Sequence, residues 1–423
     1  MNLLSLLAGQ TKHDPHAIIA IDADPDQPQH VSRAELWRRT LQLRADLATA
    51  GVGRGDGVLV ALPAWSSVLE WHIASASLGA RVVPAGSGAA AAGLADLLLR
   101  VRPKVVALPH LAPLGRDDAR PALRDAVSLA QGAPPPTVAV VTAPGGRPPV
   151  DPSPYDVGAG AWLPSAATAG MPMPDVRGDD ELAVAFPPSL AAHRESALTR
   201  HAEAVAAALG LGDDVLLCAT GPDHPAWLGL ALAAVAGGGT CLLEPAPSPH
   251  AVLDDVTRFG VSHLALPERL VPPLTGPGRT PATTVRWLGV LGDTLPEGTA
   301  RQAEQALGAV LTTVYTAPGL LCPAALWPTG APLADRVRPG GEPLGHGAEV
   351  RIVDPATGIP REHGESGEIQ LRGSMAACSV LDAPGDPVPG RTSDGWFGTG
   401  DAGTLDSGGV LRRTGRVTAT TRD

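Results

Sequence analysis

Short apolar runs alternating with helix-length segments recur along almost the whole chain, and this rhythm constrains the fold more than any other feature. Strand-type runs stand at Gly55–Leu62, Arg81–Pro84, Lys104–Leu108 and Thr137–Val141. Helices are expected at Val31–Gly51 and Trp65–Gly79. In the first of these, Leu36, Leu41, Leu43 and Leu47 fall at helical spacing, Ser32 suits the N-cap and Gly51 the residue after the C-cap. A stretch rich in Pro, Gly and Ala follows (115–178), with a loop expected over Pro148–Asp180. The rhythm then restarts. Strands are expected at Leu182–Phe186, Asp214–Ala219, Thr240–Leu243, His263–Leu266, Val285–Val290 and Ala309–Tyr315. The helices between them are Arg194–Leu209, Trp227–Val235, His250–Phe259 and Gly298–Leu307. Strand–helix–strand units of this kind form a parallel sheet with helices packed on its faces. After Pro343 only short strands remain, at Ala348–Asp354, Gly367–Arg372 and Gly409–Thr414, joined by Gly, Pro and Asp turns. The expected fold class is therefore α/β: two similar helix-covered, mostly parallel sheets plus a small β-barrel-like subdomain. The expected units are residues 1–180, 181–340 and 341–423.

The chain has 423 residues, 44% of them apolar and 18% charged, a balance that suits a globular protein with a sizeable core. Its formal charge of −11 argues against a nucleic-acid partner, because an acidic surface repels phosphate backbones. A single nucleotide answers to the local field instead. Lysine occurs only at Lys12 and Lys104, so chemistry that needs a lysine late in this sequence finds none. The four cysteines, Cys218, Cys241, Cys322 and Cys378, are far apart and form no CxxC pair, which argues for free thiols and against zinc. The longest apolar stretch, Ala226–Leu243, is interrupted at Gly237–Gly239 and does not suit a membrane span. With no basic leader at the N-terminus, a cytoplasmic location is expected. His193 and His201 could share a helix face, but no third ligand stands near them, and no metal site is expected. No GxSxG elbow is present.

Gly395–Arg416 reads GWFGTGDAGTLDSGGVLRRTGR, and upstream stand GEIQLRG (Gly367–Gly373) and PLGHGAEVRIVD (Pro343–Asp354). Nearer the start are GVGRGDGVLVALP (Gly51–Pro63) and ASLGARVVPAG (Ala76–Gly86). In this order and spacing the segments resemble signatures of the adenylate-forming superfamily, which includes acyl- and aryl-CoA synthetases, peptide-synthetase adenylation domains and luciferases. The resemblance covers the large N-terminal domain of that superfamily, from about Val31 to Arg416. It implies an AMP-dependent synthetase or ligase: a small-molecule carboxylate attacks the α-phosphate of ATP, giving an acyl-adenylate and pyrophosphate. These motifs do not specify which carboxylate is used, or whether CoA or a carrier protein accepts the acyl group.

The resemblance also implies roles for particular residues. Asp401 takes the position of the aspartate that anchors the ribose hydroxyls, and Arg416 lies near the ribose or phosphates. Tyr315 matches the aromatic that stacks on adenine, with Thr316 beside it. Gly292, Asp293 and Thr294 match the adenine-side turn, and His224 borders the acyl pocket or caps the helix after it. Other parts of the pattern are absent. The phosphate loop should be rich in Ser, Thr and Gly and end in a lysine, but here the strand is followed by PPSLAAHRESALTRH (Pro187–His201). Ser189 is its one plausible survivor, and the lysine falls on Glu195 or Ser196. Glu195 would repel a triphosphate, and Arg194 would substitute only in part. The magnesium-binding glutamate falls on Gly319 and its threonine partner on Pro318. Thr418 falls at the hinge aspartate, and the sequence ends before the family's lysine-bearing C-terminal domain.

Two readings follow. One is an impaired ligase that uses ATP or AMP with magnesium, completed by a protein partner supplying the missing domain. The other is a non-catalytic pseudoenzyme that binds an acyl group, an adenylate or a partner protein.

Overall fold

The computed structural model describes residues 2–110, 118–165, 180–275, 284–382 and 387–417. Two sheets carry the architecture. In the first, four parallel strands lie in the order Arg81–Pro84, Gly57–Val60, Val105–His110 and Thr137–Thr142. Leu182–Phe186 joins this core in parallel beside Arg81–Pro84, and Ala191–Arg194 then turns back antiparallel. In the second sheet, Ile18–Asp22, Thr240–Leu243, Val215–Cys218, His263–Pro267, Trp287–Leu291 and Val310–Val314 run parallel. The sheets do not follow chain order. The early strand Ile18–Asp22 belongs to the second sheet, and Leu182–Phe186 and Ser379–Leu381 belong to the first.

The expected small barrel does not close. Gly367–Arg372, Phe397–Leu405 and Leu411–Arg416 are strands, as is Glu349–Val353, but they continue the second sheet as an open antiparallel end. The physical reason lies at Gly340–Pro343. This strand pairs with Val314 on one side and with Leu411–Arg412 on the other, so the late strands extend an existing edge and have no need to close on themselves.

The helix boundaries follow local chemistry. Arg33–Thr49 starts where the Ser32 hydroxyl accepts from the Glu35 N–H at 3.2 Å. Ser66–Ser77 and Pro225–Gly237 are almost wholly buried, Trp71 and Trp227 included; the second is apolar all round, while the first also buries Glu70 and His72. Gly229 has a specific task here. A Cβ at this position would stand 2.1 Å from the Cys322 carbonyl oxygen, so only glycine lets the 315–322 segment lie against the helix. The expected helix at Arg194–Leu209 is shorter, Glu195–Leu209, because residues 191–194 are drawn into the hairpin with Leu182–Phe186. All four cysteines are free, and burial pushes the Cys218 thiol up to about 11 and Cys241 to about 12. Among the described residues, no helix is long and apolar enough to cross a membrane.

Candidate nucleotide site

Parallel α/β sheets place loops, and therefore ligand-binding groups, at the carboxyl ends of their strands. The second sheet has a cavity of about 290 Å³ at this edge. Thr220 follows the strand Val215–Cys218, Pro267 ends the strand His263–Pro267, and Gly292–Asp293 follow Trp287–Leu291. Thr316–Pro318 lie just beyond Val310–Val314. The antiparallel end closes the remaining side with Asp401, Arg413 and Arg416. The cavity therefore gathers Asp401, Arg416, Thr316, Gly292, Asp293 and His224, six residues that the sequence singled out.

Asp401 is the best-held of these. It is 2% exposed. The Tyr315 hydroxyl donates to its Oδ2 at 3.1 Å. Its Oδ1 lies 3.2 Å from Arg413 Nε and 3.3 Å from Arg416 Nη1. Neither guanidinium directs an N–H squarely at that oxygen, so Oδ1 has neutralising charge but no directed hydrogen bond. Arg413 continues outward, with Nη1 2.5 Å from Asp293 Oδ1. This ladder of charges, Asp401–Arg413–Asp293, ties the late hairpin to the turn after Trp287–Leu291. Arg413 did not emerge from the sequence. Its signal was the clustering of Arg412, Arg413 and Arg416 on the strand antiparallel to Asp401, with a bulge between Ala402 and Gly403 that alters the facing pairs.

Tyr315 stands behind Asp401 and not on the cavity wall. Its ring is fully covered, and burial, reinforced by the neighbouring Asp401 carboxylate, raises its phenol far above the ordinary value. It braces the carboxylate as a donor. His224 lines the cavity and also caps the helix Pro225–Gly237, its Nδ1 accepting from the Ala226 N–H at 3.1 Å. That bond requires an unprotonated Nδ1, and burial, partly opposed by Asp223, lowers the His224 pKa in the same sense. Thr294 is exposed and does not line the cavity.

The segment expected to form the phosphate loop is a tight turn. Only Pro187–Leu190 separate the paired strands Leu182–Phe186 and Ala191–Arg194, too few residues for a cradle of converging N–H groups. Ser189 sits exposed in this turn, away from the cavity. Glu195 does not face the site either. Its Oε1 accepts from the Leu3 N–H at 2.9 Å, at the start of the helix Leu3–His13. The expected repulsion of a triphosphate by this carboxylate is therefore corrected: its charge is spent on a helix N-terminus. Ser196 is occupied in the same way, its N–H donating to Asp180 Oδ1 at 3.0 Å, and the Arg194 guanidinium donates to the Asp180 carbonyl.

The residues present do not fit a protein-held magnesium ion. The two carboxylates lining the cavity, Asp293 and Asp401, both face guanidinium groups. Gly319, at the glutamate position, has φ +88°, and a Cβ there would lie 2.1 Å from Phe397 Cζ. The hairpin's own aromatic packs where a longer side chain would have to begin. Among the described residues, no group of three or more His, Cys, Asp or Glu is placed to hold a metal. His193 and His201 are instead buried as neighbours in the packing, with burial lowering them to about 3 and about 4. Thr418 lies outside the described residues.

Known proteins bear out the fold and the family. The family described as AMP-binding enzyme matches residues 7–180 and 189–378. The match is interrupted at residues 181–188, the strand and turn where a phosphate loop was expected. Across 98% of its length the chain is 29% identical to salicyl-AMP ligase / salicyl-S-ArCP synthetase of Mycobacterium tuberculosis, of which it spans 72%. A stretch of 78 residues is 40% identical to atromentin synthetase of Tapinella panuoides, covering 18% of this chain and 8% of that protein. Among solved structures, ATP-bound MatB from Rhodopseudomonas palustris superposes with a TM-score of 0.79 at 22% identity, over 98% of this chain and 79% of that one. The N-terminal domain of FACL13 from Mycobacterium tuberculosis gives 0.79 at 19% identity, over 98% of this chain and 100% of that one. With the signature hairpin, the strand-end cavity and most of its length matched, the chain belongs to the AMP-binding enzyme family and has the fold of the large N-terminal domain of the adenylate-forming superfamily.

Proposed function

We propose that the chain binds an adenine nucleotide or an acyl-adenylate in the strand-end cavity, as a relative of acyl-CoA synthetases and aryl-acid ligases whose turnover of ATP is impaired. The observation that carries this reading is Asp401. It is a buried carboxylate at the cavity wall, and its Oδ1 lacks a directed hydrogen bond, as an acceptor awaiting a ribose hydroxyl would. In this reading the hydroxyls of Thr220 and Thr316 and the guanidinium of Arg416 meet the phosphate side. Gly292 and Asp293 border the base, and His224 borders the acyl group. A small aryl carboxylate is the first substrate class to try, given the salicyl-AMP ligase among the relatives.

Two observations favour a second reading, a pseudoenzyme that holds an adenylate or acyl group without making one. The Pro187–Leu190 turn offers no phosphate cradle, and Gly319 offers no metal ligand. Catalysis in this family further calls for a cation at the developing charge, and a protein partner supplying one would complete the ligase reading.

Calorimetry with ATP–Mg, AMP and a non-hydrolysable aryl-adenylate mimic, alongside pyrophosphate exchange, separates the readings. Binding of AMP and the mimic with slow exchange supports an impaired ligase. Binding of the mimic with no exchange supports the pseudoenzyme. No binding of any of the three contradicts the nucleotide site altogether.

A further inference from the structure

We infer that Arg413 is a latch on the ribose anchor, so that a nucleotide enters only when Arg413 leaves Asp401, and that the site therefore favours ligands bringing an anion for the released guanidinium. The inference rests on the reading that this cavity takes a nucleotide.

Two arginines cover Asp401 Oδ1, and they are held differently. The Arg416 side chain is 56% exposed and, among the described residues, bonds to Asp401 and the Thr399 carbonyl, so it can swing into solvent at little cost. Arg413, its side chain 19% exposed, is fixed at three points, one on the backbone and two on the side chain. Its backbone N–H donates to the Pro339 carbonyl at 3.1 Å, its Nε faces Asp401, and its Nη1 meets Asp293. The outer anchor is the weaker one, because the Asp293 side chain is 78% exposed and well solvated.

The oxygen beneath this latch is charge-neutralised but poorly hydrogen-bonded. A pair of ribose hydroxyls would give it directed bonds, yet both arginines already occupy the approach. Binding thus exchanges an ion pair for hydroxyl contacts. A guanidinium expelled from a carboxylate needs another anion nearby, and a phosphate or acyl-phosphate in the same cavity provides one. A neutral nucleoside leaves Arg413 with the solvated Asp293 as its counter-charge and no buried one. The population of the open latch then scales the apparent affinity for every ribose-bearing ligand.

The test is calorimetric titration of the intact protein with adenosine, 2′,3′-dideoxyadenosine and AMP, for wild type, Arg413→Leu, Asp293→Asn and Arg413→Leu combined with Asp401→Asn. Arg413→Leu is expected to tighten adenosine binding by about tenfold, the scale of one released ion pair. It should leave dideoxyadenosine unchanged and narrow the preference for AMP over adenosine. The gain should vanish in the double variant. Asp293→Asn keeps the arginine, disturbs the fold less, and should tighten adenosine by about two- to threefold, in keeping with an exposed pair. Wild type binding adenosine as tightly as both single variants, or more tightly, overturns the latch while leaving the nucleotide site intact. Failure of wild type and all variants to bind AMP and adenosine overturns the nucleotide reading itself, and the latch with it.

Discussion

The hairpin formed by Phe397–Leu405 and Leu411–Arg416 and the turn Pro187–Leu190 stand where the adenylate-forming pattern expects its ribose and phosphate contacts, and they differ in what holds them. In the hairpin, the cavity-facing group is also part of the protein's own network: Asp401 is braced by Tyr315, Arg413 and Arg416. Just before it, the guanidinium groups of Arg351 and Arg372 stand over the Trp396 ring, 4.4 and 4.7 Å from its centroid. Among the described residues, no such network surrounds Ser189 in the turn. Ser189 is exposed, and the charged residues after the turn are engaged elsewhere, Glu195 at the helix Leu3–His13 and Arg194 at Asp180. A residue that serves both fold and ligand keeps a fixed geometry without the ligand. One that serves a ligand alone has nothing in the protein to hold it.

Acid gives the largest expected effect and should reach the two regions differently. Burial lowers His193 to about 3 and His201 to about 4, and they lie in the strand and the helix that follow the turn. Because their folded values lie below the ordinary value near 6.5, the stability they contribute is complete above that pH and is lost as pH falls towards 4. His72, lowered by burial to about 3, acts in the same sense. Burial raises Asp22 to about 6 and Glu70 to about 7, so their contribution runs the other way, declining as pH rises through these values. Hydrogen exchange at pH 4.5 should therefore show protection lost first over residues 191–209 while 397–416 stay protected. Simultaneous loss in both would show that the hairpin is held no better than the turn.

Substitutions sharpen it further. Asp401→Asn leaves two guanidinium groups facing a neutral amide and should lower stability by about 3 kcal/mol in denaturant unfolding, the cost of breaking a buried pair. Gly319→Glu should cost on the order of 3 kcal/mol through left-handed backbone strain and the clash with Phe397, and should bring no magnesium-dependent exchange. Recovery of exchange in that variant would contradict the account of the missing metal ligand. Ser189→Ala should change stability by no more than about 0.5 kcal/mol and leave AMP affinity unaltered, as for an exposed residue outside any network.

Much of the fold was legible because burial writes itself into periodicity. Arg81–Pro84, Leu182–Phe186, Thr240–Leu243 and Gly367–Arg372 coincide with observed strands to the residue. The mixing of early and late strands between the sheets was not legible, because periodicity records which face is covered and not which strand is the neighbour. Asp401, Arg416, Thr316, Gly292, Asp293 and His224 were found through their motifs. Thr294 and Ser189 were placed by the same motifs, yet they lie outside the cavity, since a motif position carries no information about the direction a local turn takes. Arg413 was missed because its importance arises from register across a bulged hairpin, which only the folded chain displays.

The most direct test of the central claim is a crystal structure of the protein soaked with AMP. The account predicts the ribose hydroxyls within hydrogen-bond distance of Asp401, with Arg413 moved off the carboxylate. AMP bound elsewhere, or with its ribose away from an Asp401 still covered by Arg413, would contradict it.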